Sequence, residues 1–336
     1  MNILKKFFAN KSLLITGGTG SLGNAILDYF IEKKINLKKI IIFSRDEWKQ
    51  YEMQKKFNFN HKQNIRYFLG DVRDKERLSR AINDVDIIIH AAAIKQVDKA
   101  ELEPIEAIKT NIYGAQNIVE CALSSNVSIV AGVSTDKASS PINLYGATKL
   151  CSEKLITSAE NIKGKKKIKF TAIRYGNVLN SRGSIMPLFL KQSKNNQFTI
   201  THPQMTRFLM TLRQSVEFIL NSIVKTKGGE IFIPKLPSFK VVDLAKSINS
   251  KASLKIIGIR PGEKMHEELI SGDDSINTIE TSDYYIITNT LLENFKSKSK
   301  LEALYKGRFL KKQFSYNSLD NNKYCSVGDL KKFINI

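Results

Sequence analysis

An α/β fold is what this sequence predicts: a Rossmann-type doubly wound parallel sheet with a smaller C-terminal α+β substrate-binding region. Three observations carry that expectation. Short apolar runs alternate with helical patterns through the first half. A glycine-rich turn follows the first run. The alternation weakens after about Asn177, where Pro187, Pro203, Pro234, Pro237 and Pro261 punctuate shorter mixed elements.

The apolar runs come in order. Leu13-Leu14-Ile15, Ile40-Ile41-Ile42-Phe43, Tyr67-Phe68-Leu69, Ile87-Ile88-Ile89 and Ser128-Ile129-Val130 are each bounded by Gly, Asp, Asn or Ser. Continuous apolar runs suit strands buried on both faces, as in a parallel sheet. After Pro104, Ile105, Ile108, Ile112, Ala115, Ile118, Val119 and Ala122 recur at helical spacing, and Pro104 suits the first turn of that helix. The 336 residues exceed one ordinary core. Residues 1–176 are expected to bind a dinucleotide, and residues 177–336 mainly the substrate, across a soft and interleaved boundary. The polar stretch from Ser315 to Lys323 reads as a loop, or an arm across a neighbouring surface.

With 42% hydrophobic and 25% charged residues, the composition disfavours disordered, collagen-like and coiled-coil classes. The net charge of +21 brings nucleic acid, a membrane surface and anionic substrates into consideration. The lysines are scattered, with one short cluster at 163–169 and no stripe with interleaved aromatics, so nucleic acid is not expected. No run reaches the roughly 18 apolar residues that cross a bilayer, so no membrane partner is expected and the location is read as cytoplasmic. Cys121, Cys151 and Cys325 are too few and scattered for a disulfide framework. Histidines 61, 90, 202 and 266 show no metal-ligand spacing.

Thr16-Gly17-Gly18-Thr19-Gly20-Ser21-Leu22-Gly23 follows the first strand and opens a helix. Gly17, Gly20 and Gly23 serve the tight turn, the approach to a pyrophosphate and helix–strand packing. Thr19, Ser21 and Leu22 lie at the helix N-terminus, which attracts phosphate. The second strand ends in Ser44-Arg45-Asp46-Glu47. An Arg fork and a hydroxyl suit the 2′-phosphate of NADP. Asp46 or Glu47 turned inward would suit NAD instead. Asp71, in Gly70-Asp71-Val72, follows the third strand; its carboxylate serves either the adenine or a helix cap. Ala91, in His90-Ala91-Ala92-Ala93, lets backbone lie against the cofactor.

Strand five ends in Val133-Ser134-Thr135-Asp136-Lys137, and Tyr145-Gly146-Ala147-Thr148-Lys149 follows. Ligands of open α/β sheets sit at these carboxyl ends. Tyr145 and Lys149 share a helix face. An ammonium beside a phenol lowers its pKa from about 10, so that Tyr145 can take a proton from a sugar hydroxyl as hydride leaves the same carbon. Lys149 also suits the nicotinamide ribose.

TGGTGSLG, SRDE, HAAAIKQV, STDKASSPINLYGATKLCSEK, RYGNV, MTRF and IRPGEKMHE occur in this order. Together they resemble the extended short-chain dehydrogenase/reductases acting on nucleotide sugars. More closely they resemble the inverting UDP-N-acetylglucosamine 4,6-dehydratases, PseB type, which begin pseudaminic acid synthesis. The likeness runs from about Leu13 to Glu267. Leu22, Val133 and Ser139-Ser140 depart from the pattern without removing a reactive group. The resemblance implies that Tyr145 helps oxidise C4 with NADP as cofactor. Lys137 would then remove the C5 proton, and Asp136 would protonate the leaving C6 hydroxyl. Thr135 would hydrogen-bond the 4-hydroxyl.

The residue chemistry sets matching demands. A base lysine must be neutral, which burial and nearby positive charge promote, and a donating carboxylic acid must stay protonated. The resemblance further implies that Arg182 contacts cofactor, and that Lys95, Asn177, Ile185, Thr199, Arg207, Arg260 and Glu263 contact UDP-N-acetylglucosamine. Arg207 and Arg260 are alternatively internal ion pairs. A homo-oligomer, and flagellin glycosylation as the pathway's destination, are also implied. A 4-epimerase would keep Tyr145 and Lys149 without needing the Asp136–Lys137 pair.

Overall fold

The inner apolar runs become strands because a parallel sheet covered on both faces keeps their side chains from water, whereas the edge run at Ile65–Leu69 leaves Arg66 and Leu69 exposed. The computed structural model describes residues 3–58, 64–179, 181–289, 291 and 297–334; His61 lies outside them. The first six strands are β1 (Ser12–Thr16), β2 (Lys39–Ser44), β3 (Ile65–Leu69), β4 (Ile87–His90), β5 (Ile129–Thr135) and β6 (Lys169–Tyr175). They pair in parallel in the order β3-β2-β1-β4-β5-β6. The strand order reverses between β1 and β4, and that crevice is where open α/β sheets bind ligands. Every residue of β1 is buried.

Seven strands follow: β7 (Asn177–Val178), β8 (Gln197–Ile200), β9 (Thr206–Met210), β10 (Ile231–Pro234), β11 (Ser238–Lys240), β12 (Ser253–Ile256) and β13 (Glu268–Ile270). Then come β14 (Thr278–Glu280), β15 (Tyr284–Ile287), β16 (Arg308–Phe309) and β17 (Tyr316–Asn317). The large sheet continues past residue 176. β10 adds in parallel to β6, and β15, β14 and β16 extend it antiparallel to ten strands. The smaller sheets β11-β9-β7 and β12-β8 enclose a second core of Phe189, Phe198, Phe239, Leu244 and Leu330.

Two features differ from the sequence expectation. The helix after Pro104 is interrupted by a π-turn at Lys109–Tyr113, between Pro104–Ile108 and Gly114–Leu123. The widened turn accompanies an inward Asn111 side chain. It accepts from the Ile94 amide at 2.8 Å, and donates to the Ile94 carbonyl and Thr148 hydroxyl at 2.9 Å each. The polar Ser315–Lys323 stretch packs on its own chain, where β17 pairs antiparallel with β13.

A buried ion pair ties the layers together. Arg174 on β6 donates to Glu153 at 2.7 and 3.0 Å, with both side chains 1% exposed. It also bonds the Leu269 carbonyl at 2.9 Å and Asp274 at 3.1 Å.

Candidate active site

At the cofactor crevice, Gly17 has φ +63°, and a Cβ there would stand 2.9 Å from the Ala92 Cα. Only glycine allows the turn to lie so close to the Ala91-Ala92 backbone. The Thr16 hydroxyl fixes that backbone, accepting from the Ala91 and Ala92 amides at 3.1 and 3.2 Å. It also bonds His90 Nδ1 at 2.8 Å. Burial holds the His90 pKa down at about 3, so this imidazole is neutral. No side chain caps the helix Ser21–Glu32, whose N-terminal dipole faces a would-be phosphate. Thr19 is buried in the turn and Leu22 packs on the core. The Ser21 hydroxyl accepts from the Arg182 amide at 3.0 Å, and the Lys95 ammonium donates to the Arg182 carbonyl at 2.8 Å. Arg182 thus spans from the phosphate turn to Lys95. Burial lowers the Lys95 pKa.

At the ribose end, the Asp46 carboxylate accepts from the Lys49 amide at 2.9 Å. The Ser44 hydroxyl accepts from Gln50 at 3.0 Å. Arg45 reaches Asp71 at 3.6 Å with its side chain still 56% exposed. Asp71 also takes the Arg73 amide and guanidinium at 2.9 and 2.7 Å. The cap of the next helix is Asp74, whose carboxylate accepts from the Arg77 amide. Val72 is buried against Gly114.

β5 delivers Thr135, Asp136 and Lys137 to the crevice, and the helix Leu144–Ser158 returns Tyr145 and Lys149 to the same place. That helix starts sharply because Asn143 accepts from the Gly146 amide at 2.7 Å. The Asn143 side chain also donates to the Gly262 carbonyl at 2.7 Å, pinning the Arg260–Glu263 turn. Asn143→Ala is expected to cost about 1 kcal/mol of stability, read from chemical denaturation. A Cβ on Gly146 would meet the Lys137 carbonyl at 2.2 Å. Gly146→Ala should therefore displace the helix start, weakening both stability and catalysis.

The Lys137 ammonium sits 3.0 Å from Asp136 Oδ1 and 3.0 Å from Glu267 Oε1. Thr135 also donates to Asp136 Oδ1 at 3.0 Å. Burial raises the Asp136 pKa; Lys137 opposes the rise and Glu267 adds to it. Lys137 differs from its expectation. Burial alone would lower its pKa, but Asp136 and Glu267 more than offset this and the value is raised.

Tyr145 also differs. Burial raises its pKa, and the cation that opposes the rise is Lys137, helped by a hydrogen bond from Thr135. Lys149 instead donates to the Val133 carbonyl at 2.8 Å. Its own pKa is pulled down to about 8 by burial, against the opposing charge of Glu153.

The arginines gather around carboxylates. Arg207 reaches Glu263 at 3.4 Å and Glu267 at 3.7 Å, and Arg260 holds Glu263 at 3.1 Å. Asn177 is half-buried on β7, and its side-chain oxygen has no partner among the described residues. Ile185 opens the helix Ile185–Ser193, and Thr199 on β8 accepts from Gln192 at 3.0 Å. Sequence reasoning missed Glu267. Its signal was the end of IRPGEKMHE, but nothing along the chain pairs a carboxylate there with Lys137. Among the described residues, no His/Cys/Asp/Glu group could hold a metal ion. No described helix is long and apolar enough to cross a membrane.

The family model for polysaccharide biosynthesis proteins matches residues 13–289. A UDP-N-acetylglucosamine 4,6-dehydratase (inverting) from Campylobacter jejuni subsp. jejuni serotype O:23/36 (strain 81-176) is 48% identical, covering 98% of both chains. A UDP-glucose 4-epimerase from Rickettsia bellii (strain OSU 85-389) is 45% identical over 83% of each chain. The crystal structure of Pen from Bacillus thuringiensis superposes with a TM-score of 0.87 at 38% identity, over 98% of this chain and 99% of that one. DesIV, a dTDP-glucose 4,6-dehydratase from Streptomyces venezuelae solved with NAD, shares the fold at a TM-score of 0.68 and 20% identity, over 76% of this chain and 86% of that one. The chain belongs to the polysaccharide biosynthesis protein family, among the extended short-chain dehydrogenase/reductases that include the inverting UDP-N-acetylglucosamine 4,6-dehydratases.

Proposed function

We propose that this protein is an NADP-dependent UDP-N-acetylglucosamine 4,6-dehydratase (inverting), a hydro-lyase. Its product would be UDP-2-acetamido-2,6-dideoxy-β-L-arabino-hex-4-ulose, the entry to pseudaminic acid synthesis. The observation that carries the reading is the Asp136–Lys137 pair, its carboxylate buried and its ammonium half-buried, beside Tyr145, on a chain alike along its full length to an inverting dehydratase.

The residues divide the work. When bound, a nicotinamide dinucleotide would supply the acceptor for the C4 hydride and the hydride that C6 receives. The Ser21–Glu32 helix and the Gly17 turn suit its pyrophosphate, and Ala91, Val72, Asp71 and Lys149 line the path to its two ends. Tyr145 takes the C4 hydroxyl proton, and Thr135 orients that hydroxyl. Tyr145 needs help to ionise, because its pKa is raised, and the Lys137 charge provides it. The 4-keto group then acidifies C5–H. Lys137 takes the C5 proton, and the electron pair of that bond becomes the C5=C6 double bond. Asp136 donates to the C6 oxygen, which leaves as water. C5 is reprotonated on the opposite face, so the net change is loss of water with inversion. Arg207 and Arg260 suit the UDP phosphates, with Glu263 setting their spacing. Lys95, Asn177, Ile185 and Thr199 line the remaining sugar and nucleotide surface.

NADP over NAD is supported by Arg45, half exposed beside Ser44, and by Asp46 being occupied at the Lys49 amide. Arg45→Ala is expected to weaken NADP binding about tenfold to a hundredfold with little change for NAD, read by titration calorimetry. A cytoplasmic homo-oligomer completes the reading. Leu102, Ile105 and Tyr113 are large apolar side chains exposed on three successive elements.

The likeness to Rickettsia proteins named UDP-glucose 4-epimerase favours a second reading, simple C4 epimerisation. Incubation with UDP-N-acetylglucosamine in deuterated water separates the two. The expected product is a 4-keto-6-deoxy sugar with deuterium at an inverted C5. Retained configuration would refute inversion, and a C4 epimer would refute dehydration.

A further inference from the structure

The turn that carries Asp136 and Lys137 is short and leads into a strained residue. It spans Asp136–Ala138 and is closed by the Ser139 amide, which donates to the Asp136 carbonyl at 3.2 Å. The next residue, Ser140, has φ +42°. A residue with a Cβ enters that left-handed region at a cost in free energy. Such strain persists only where neighbouring groups enforce it, and it gathers at functional sites.

The enforcing group is Glu268, the first residue of β13. Its Oε2 accepts from the Ser140 hydroxyl at 2.7 Å and from the Ser139 hydroxyl at 3.1 Å. Its Oε1 accepts from the Ser315 hydroxyl at 2.7 Å. Lys264 adds a bond to the Ser139 carbonyl at 2.7 Å. Ser139 is 2% exposed, so its hydroxyl has no bulk water to turn to once the carboxylate is withdrawn, and the loop must shift to satisfy it. Ser139-Ser140 is one of the places where this sequence departs from the pattern it resembles, so nothing carried over from relatives gives the loop a role.

The chain entering β13 therefore grips one turn twice. Glu267 meets the Lys137 ammonium at 3.0 Å, and Glu268 ties the main chain two and three residues further on. The grip is itself anchored. The Glu267 amide donates to the Ser318 hydroxyl at 2.9 Å, and its carbonyl accepts from the Ser318 amide at 2.7 Å. Tyr145 is held differently, on a helix whose start is fixed by Asn143.

We infer that Glu268 is a positioning residue for elimination: through the Ser139 and Ser140 hydroxyls it sets where the Asp136–Lys137 turn presents its amine to C5. The inference rests on the dehydratase reading and extends it to a carboxylate that moves no proton of the reaction. Loss of the latch should spare C4 oxidation, which depends on Tyr145, and slow proton removal at C5.

The test follows single turnovers with UDP-N-acetylglucosamine in deuterated water. Reduction of the bound nicotinamide reports C4 oxidation, and its reoxidation with deuterium appearing at C5 reports elimination. Glu268→Ala should keep substrate affinity and the first phase within about threefold and slow the second about tenfold to a hundredfold, the cost of misplacing a reacting group by about 1 Å. Glu268→Gln can still accept from both serines through its oxygen and donate to Ser315 through its amide, so it should recover most of the second phase. The pH profile of elimination should keep its wild-type shape in both variants. Ser139→Ala combined with Ser140→Ala removes the same bonds from the other side. It should match Glu268→Ala in the second phase, and joining the three should add little. That serine pair carries the test if Glu268→Ala does not fold. Equal slowing of both phases would overturn the inference, as would an unslowed second phase. Glu268→Gln as slow as Glu268→Ala, or with an altered pH profile, would overturn it in favour of a role for the charge. A wild type that forms no 4-keto-6-deoxy sugar would refute the dehydratase reading itself, a separate outcome.

Discussion

Lys137→Ala is expected to cut dehydration by about 10³-fold or more, at the upper end of what a single proton-transfer group supplies, while the protein stays folded and retains its cofactor. The side chain is the one nitrogen that Asp136 and Glu267 share. Removing it deletes the base and leaves two buried acids with only Arg207 and Lys264 for compensation. One of the acids will then hold a proton across the neutral range, because like charges in a buried site do not both ionise. That response limits the structural damage, so the loss is one of chemistry. The first half-reaction should slow less than elimination, since Tyr145 loses a helpful charge but keeps its Thr135 hydrogen bond. Rapid mixing distinguishes the steps: nicotinamide reduction persists while deuterium at C5 disappears. Near-normal turnover would refute the base assignment. Asp136→Asn should give the same pattern for the complementary reason, since an amide cannot supply the proton to the leaving hydroxyl.

Arg174→Met carries the largest expected effect on stability, about 3–5 kcal/mol. The cost arises from what is left behind. Glu153 would stay buried at 1% exposure without its cation, and the Leu269 carbonyl would lose its donor. Glu153 belongs to the helix that carries Tyr145 and Lys149, and Leu269 follows Glu267 and Glu268 on β13. The substitution therefore loosens both walls of the active site. Denaturant titration should show the midpoint fall. Arg174→Met with Glu153→Leu should recover most of it, because a matched apolar pair in place of a buried ion pair is often neutral or better. If the single substitution costs under about 1 kcal/mol, the pair is not the tie described.

Much of this molecule was legible in one dimension, for physical reasons. Leu13 to Ile15, Ile40 to Phe43 and Ile87 to Ile89 read as strands because complete burial leaves unbroken apolar runs. The phosphate turn and the Tyr145–Lys149 spacing were legible because both are local, set by neighbours within a few residues. The π-turn at Lys109–Tyr113 was not legible, since it answers to Ile94 and Thr148 through the Asn111 side chain. The return of β10, β15, β14 and β16 to the first sheet was hidden for a similar reason: edge pairing leaves little periodicity in short strands. Electrostatics was least legible. That Lys137 lies between two acids rather than near cations depends on Glu267, far along the chain. Lys149 was expected beside the Tyr145 phenol and is found on the Val133 carbonyl, a tertiary contact that helical spacing does not reveal.

A ribosome delivers this chain from its first residue onward, and the clasp on Glu267 comes late. Ser318, which bonds both the amide and the carbonyl of Glu267, lies 51 residues downstream of it. A nascent chain that has emerged through β6 already has the glycine turn, the tyrosine and the lysines in order. It lacks the acid at position 267, and then lacks the strand that steadies that acid until residue 318 clears the exit tunnel. Translation thus lays down the glycine turn and the Tyr145 helix before the Glu267 carboxylate that meets Lys137.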